Sequence, residues 1–273
     1  MTQPIGTPRR TAPDAPSARR RPRSRVAKAI APAGFNWRWV SLSIIVVTGG
    51  LLAFIATDPI FNVTSAEIGG ATYTPVDEIF TAADISNKHI LTIDPELVRH
   101  RVLASPSFSS AQVALAWPAR VIIVVVEREP ALVWEQGSER YWVDVNGNLM
   151  LMRRDLPNLV HVVNEGEAIP FECPGPACPT SDAQRVSIDP SVVLGAQQLK
   201  TLRSNIDVLY YDPAHGLSYQ DGRGWRGYFG AGTDMDIKLR VYETLVSNLL
   251  GRGILPVRID VSNPNAPYYG VAR

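Results

Sequence analysis

The chain has 273 residues, 45% of them hydrophobic, enough for one or two domains with ordinary cores. Its formal charge of +1 conceals an asymmetry: residues 1–38 carry nine basic side chains against the single acid Asp14, and the remainder is acidic by seven charges. The basic segment is rich in Pro, Ser, Thr and Ala and poor in large apolar residues, which excludes a folded core there and predicts disorder.

The next stretch decides what a basic tail is for. Residues 39–57, WVSLSIIVVTGGLLAFIAT, are 19 residues without a charge, a helix of roughly 28 Å at about 1.5 Å per residue, close to the hydrocarbon thickness of a bilayer. Trp37, Arg38 and Trp39 stand where an interfacial anchor belongs. The length of the basic region and the lack of a small-x-small site before Asp58 argue against a cleavable signal. The positive-inside rule then predicts a single-pass chain with a cytoplasmic tail (1–38), a transmembrane helix (39–57) and the bulk outside, with the lipid bilayer and not nucleic acid as the tail's neighbour.

From Phe61 the pattern reads strand, helix, helix, strand, strand. FNVTSAEIGGA places Phe61, Val63 and Ile68 on a strand that ends at Gly69-Gly70. Thr74, Pro75 and Asp77 resemble a capping box opening a helix, and Asp94-Pro95 opens a second, with Leu97, Val98, Val102 and Leu103 as its apolar stripe. Two strands follow, through Val113, Leu115 and Trp117 and then Val121–Val126, joined at Pro118-Ala119 as a hairpin. Farther on, Asp189-Pro190 opens a helix, residues 207–230 read as three short strands, and Thr233 with Asp236 opens a last helix ending at Gly251 and Gly253. A final strand runs from Leu255 to Val261, and residues 264–273 read as an irregular tail.

In order and spacing, FNVTSAEIGGATYTPVDEI, the Trp-Pro hairpin with its Glu-Arg-Glu-Pro exit, and YWVDVNGNL resemble the bacterial cell-division family FtsQ/DivIB. The resemblance implies an α+β chain: a membrane helix, a POTRA domain over 58–129, then a β domain over 130–263 with an antiparallel sheet backed by helices. It departs at 164–190, a longer segment that carries Cys173 and Cys178. These cysteines, four residues apart in a Pro/Gly-rich loop, could close a small disulfide ring or remain thiols; no second pair or nearby His completes a metal site.

Glu127 and Glu129 share a strand face and could serve as a carboxylate pair for a membrane-anchored hydrolase. Arg128 between them and Pro130 after them instead suggest charges kept wet at a domain junction whose geometry Pro130 stiffens. Residues 222–227, GRGWRG, match the dinucleotide fingerprint literally, but a hairpin turn precedes them and a strand follows, so no cofactor is expected. His89, His100, His161 and His215 share no ligand spacing. Binding, not catalysis, is what remains. An edge position for the final strand would make Val257, Arg258, Ile259, Asp260 and Val261 a template for a partner strand, with Tyr268 and Tyr269 as exposed aromatics beside it. The resemblance implies this use at the division septum, with small single-pass coiled-coil proteins of the FtsB/DivIC and FtsL kind as partners. A POTRA chaperone or secretion component is the alternative within the binding class.

Overall fold

The computed structural model describes residues 37–171 and 187–272, and the chain divides into two units between Ala53 and Phe54. The helix α1 spans Trp37–Thr57, and none of its residues is buried. It is long and apolar enough to cross a membrane. Trp37, Arg38 and Trp39 form its exposed first turn, so the helix begins two residues earlier than the uncharged run. The basic stretch before it, expected to be disordered, lies outside the described residues, as do Cys173 and Cys178.

Asp58 accepts the Ile60 N–H at 2.9 Å, and Pro59 pre-sets the backbone, so Pro59–Phe61 turns as a 3-10 helix. Phe61 therefore sits in a turn and not on a strand, and β1 shortens to Ala66–Gly69. Then come α2 (Val76–Ala83), a 3-10 turn at Ile90–Thr92, α3 (Pro95–Ala104), β2 (Phe108–Ala116) and β3 (Arg120–Glu127). Asp94 caps α3 as its sequence predicts, accepting the Glu96 N–H at 2.9 Å. Residues 117–119, with a cis Trp117–Pro118 bond, make the hairpin connection one residue longer than predicted. The three strands lie in the order β1-β3-β2, β1 parallel and β2 antiparallel to β3. Val121, Ile123 and Val125 alternate inward from β3 onto Ile79, Ala83, Val98 and Val102 of the two helices.

The second sheet is built from β4 (Leu132–Gln136), β5 (Glu139–Val143), β6 (Leu149–Leu151), β7 (Val160–Asn164), β8 (Val208–Asp212), β9 (Gly216–Gln220), β10 (Arg226–Gly230), β11 (Pro256–Asp260) and β12 (Tyr268–Val271). Among the described residues their order is β12-β11-β10-β9-β8-β7-β4-β5-β6. The helices α4 (Pro190–Leu202) and α5 (Met235–Gly251) pack on one face, where Trp134, Leu209, Leu217, Phe229 and Ile259 meet Val193, Leu199, Tyr242 and Leu249. Asp189 caps α4 through the Ser191 N–H at 2.8 Å. Asp234, not Thr233, holds the cap position of α5, where it pairs with Lys238 at 2.8 Å.

Two expectations are corrected here. The sheet is mixed, because β4·β7, β7·β8 and β10·β11 run parallel; helical or long connections return the chain to the same end before each of the last two. The segment read as an irregular tail contains β12, which pairs antiparallel with β11, Tyr269 opposite Ile259 and Tyr268 opposite Asp260.

Candidate partner-binding surface

Of the residues predicted to offer an edge, the structure puts most in the sheet's interior. Ile259 pairs with Gly227 of β10 on one side and Tyr269 of β12 on the other, and its side chain is fully buried. Val261 is likewise buried and donates its N–H to the Tyr228 carbonyl at 2.9 Å. Val257 is exposed at the start of β11. Among the described residues, the strand with a single neighbour at this end of the sheet is β12, which carries the exposed Tyr268 and Tyr269. Sequence reasoning placed the edge of the sheet one strand too early. The alternation of β12 is only four residues long and follows a Pro/Asn-rich run, too short for a periodic signal.

The face of this sheet opposite α4 and α5 carries a row of arginines and tyrosines that the spacing alone did not single out. Pairing registers put Tyr210 on β8, Arg226 and Tyr228 on β10, Arg258 and Asp260 on β11 and Tyr268 on β12 on one side. The Arg226 guanidinium lies 4.4 Å from the Tyr210 ring centre and 5.7 Å from that of Tyr228, and forms a two-toothed pair with Glu165 at 3.0 and 2.8 Å. Arg258 lies 5.2 Å from the Tyr268 ring and donates to its hydroxyl at 2.8 Å. That hydroxyl in turn donates to Asp260 at 2.8 Å. Burial raises the Asp260 pKa, but hydrogen bonds from Ser262 and Tyr268 and the charge of Arg258 outweigh it, and the carboxyl stays below its ordinary range. Tyr268 is thus held in a fixed orientation next to the edge. Arginine and tyrosine are among the side chains that most often dominate binding surfaces. The signal that could have found this row was Arg226 and Tyr228 two apart on one strand, opposite Arg258.

The Glu-Arg-Glu-Pro junction is not a wet hinge. Glu127 accepts three backbone N–H bonds, from Thr72 at 2.8 Å and from Tyr73 and Thr74 at 2.7 Å. It therefore takes the part expected of a Thr74 side-chain cap, and α2 starts after Pro75 with no side-chain cap of its own. Burial raises the Glu127 pKa, and the hydrogen bonds converging on the carboxylate more than offset this, leaving it lowered. Gly70 lets the loop approach: its φ is +83°, and a Cβ there would lie 1.9 Å from the Val125 carbonyl oxygen. Glu129, two residues on, is exposed, so the two carboxylates do not share one environment.

Arg128 is anchored twice. Its backbone N–H donates to the Ser107 carbonyl at 2.9 Å, and its guanidinium pairs with Asp144 at 2.8 Å with both side chains largely buried. Asp144 also accepts the N–H groups of Asn146 at 2.9 Å and Asn148 at 2.8 Å, closing the turn between β5 and β6. A second tie is Arg153 to Glu78 of α2, at 2.6 and 2.7 Å. Between the two ties Tyr73 meets Trp142 edge-on at 5.2 Å, with Arg154 over its ring at 4.9 Å. The three-stranded and nine-stranded parts are therefore joined by side-chain contacts as well as by the chain at Pro130. Glu78→Ala and Arg153→Ala are each expected to lower stability, with a coupling of about 1 kcal/mol in a double-mutant cycle read by urea denaturation.

The GRGWRG run is structural. Asp221 accepts from Arg223 at 2.7 Å and from the Tyr242 hydroxyl at 2.8 Å, and the Trp225 indole N–H donates to that same hydroxyl at 2.9 Å. The Arg223 guanidinium, against the opposing effect of burial, holds the Asp221 pKa at about 2. His161 pairs with Glu135 and His215 with Asp212, at 2.8 and 2.7 Å. Among the described residues no three His, Cys, Asp or Glu side chains are grouped to hold a metal ion.

Comparison with known proteins finds the following likenesses. The model of the FtsQ-type POTRA domain matches residues 61–128. Cell division protein FtsQ of Chloroflexus aurantiacus is 30% identical over 123 residues, covering 41% of this chain and 45% of that protein. The FtsQ proteins of Chloroflexus aggregans and Mycolicibacterium smegmatis are 32% and 29% identical over 110 and 111 residues, covering 40% of this chain in each case and 40% and 33% of the relatives. The chain thus spans less than half the length of these relatives in the matched regions.

Proposed function

The chain belongs to the FtsQ/DivIB family of bacterial cell-division proteins, and from that premise we propose that it works as a membrane-anchored assembly component and not as an enzyme. In this reading α1 crosses the cell membrane with the basic tail on the cytoplasmic side. Residues 58–129 form the POTRA domain and 130–263, extended by β12, the β domain. Tethering both in the plane of the septal membrane raises the effective concentration of partners anchored in the same bilayer.

The observation that carries the reading is the end of the sheet: among the described residues β12 has a single neighbour, and the Arg258–Tyr268 pair stands beside it. A partner strand would add to β12, with main-chain hydrogen bonds giving affinity and flanking side chains giving selectivity. The partner is a small single-pass coiled-coil division protein of the FtsB/DivIC and FtsL kind. The Glu127 carboxylate supports assembly over hydrolysis, because three backbone N–H donors hold it as a structural anion and its supposed partner Glu129 is exposed. The test is capture by the full-length chain from detergent-solubilised membranes. A Tyr269→Pro chain, which loses a donor on the edge strand, is expected to recover at least about tenfold less of the partner, a loss of some 1.4 kcal/mol, with its thermal melting nearly unchanged. Undiminished capture by the folded variant rules out the edge.

A further inference from the structure

We propose that Ile60, Leu91 and Trp117 form an apolar rim that enters the interfacial layer of the bilayer at the Thr57 end of α1, giving the POTRA-type region a second hold on the membrane. The inference rests on the reading of α1 as a membrane span. These three side chains are 58%, 61% and 61% exposed, and they come from separate parts of the chain: the 3-10 turn after α1, the 3-10 turn at Ile90–Thr92, and the connection between β2 and β3.

What ties their three segments to one another is Phe61, itself buried. Its ring lies 5.6 Å from that of Trp117, 5.9 Å from His89 and 6.0 Å from Phe54 in the last turns of α1. His89 ties the second turn to the same place. The Leu91 N–H donates to its Nδ1 at 3.3 Å, so the ring proton sits on Nε2, which donates to the Ile55 carbonyl at 2.8 Å. Asn62 and His89 also form a β-bridge. The carboxylate that precedes the first turn, Asp58, is engaged by the Ile60 N–H.

The occupant follows from chain connectivity. Ile60 is three residues beyond Thr57, so it can stand no more than about 11 Å from the end of the helix. Wherever α1 leaves the hydrocarbon, Ile60 is within the depth of the headgroup region, and the contacts through Phe61 and His89 tie the segments of Leu91 and Trp117 to the same turn. A tryptophan with an apolar body and one N–H donor is the side chain best suited to that layer. Three large apolar groups held in water would have no such compensation.

The experiment uses the full-length chain and its Trp117→Phe variant, reconstituted into phosphatidylcholine–phosphatidylglycerol vesicles with or without phosphatidylcholine brominated near the headgroup end of its chains. Subtracting the spectrum of the variant isolates Trp117. The expected result is that Trp117 emission is quenched by the brominated lipid and protected from aqueous iodide, with the variant melting as the parent does. Trp37 and Trp39 serve as the internal reference for α1. Should the variant keep its bromolipid quenching while the Trp117 difference signal shows none, the rim is not in lipid, which is also the outcome if it docks on a protein; the proposal is then overturned and the span stands. If neither signal is quenched, the proposal and the span reading fall together.

Discussion

A Glu127→Gln chain is expected to lose about 2 kcal/mol of stability at neutral pH, while Glu129→Gln loses nothing measurable. The difference lies in what each side chain touches. The Glu127 carboxylate receives three backbone N–H groups at the entry to α2. A glutamine supplies one carbonyl oxygen for those donors and turns an NH2 toward the remainder, leaving at least one N–H unsatisfied at a part-buried site. Glu129 is exposed and makes no such set of contacts. The pH dependence separates this account from a general effect of charge removal. Because the Glu127 pKa is lowered on folding, its contribution is fully present above the ordinary carboxylate value of about 4 and is lost as pH falls through the folded value. The gap between parent and Glu127→Gln in urea denaturation should therefore narrow as the pH is lowered below about 4, while both chains alike lose the contribution of Asp221 as pH approaches about 2. A gap that stays constant across that range contradicts the role assigned to the carboxylate.

The same residue shows where sequence reading ends. Local signals were legible: the Asp94-Pro95 start of α3, the Asp189-Pro190 start of α4, the apolar length of α1, and the aliphatic run of β3 are each written within a few residues. The role of Glu127 is written across more than fifty residues, in a loop that reaches it because Gly70 passes close to the Val125 carbonyl. From spacing alone, two glutamates at a strand end are equally a catalytic pair or surface charge. The mixed pairing of the second sheet has the same origin, since strand direction depends on which neighbours the chain returns to and not on any one strand's pattern. The Arg–Tyr row is a further case: Tyr210, Arg226, Arg258 and Tyr268 belong to four strands, and only the pairing registers bring them onto one face.

Ile259→Pro is expected to unfold the nine-stranded part, costing about 4 kcal/mol or more, and so cannot report on the edge. Ile259 is fully buried in the core under α5 and has strand neighbours on both sides, Gly227 and Tyr269. Proline removes a ladder donor in the interior of the sheet, and its ring leaves part of the isoleucine's volume empty. Loss of partner capture by this variant would follow from loss of the fold. Tyr269→Pro removes a donor from a strand with one neighbour, at a partly exposed position, where the cost to the fold is about 1 kcal/mol. The pair of variants makes the edge testable by contrast. Circular dichroism melting should show Ile259→Pro unfolded or far less stable and Tyr269→Pro close to the parent, while both lose capture. If Ile259→Pro melts with the parent, β11 is not the interior strand on which the placement of the binding edge depends, and the edge must be sought at β11 itself.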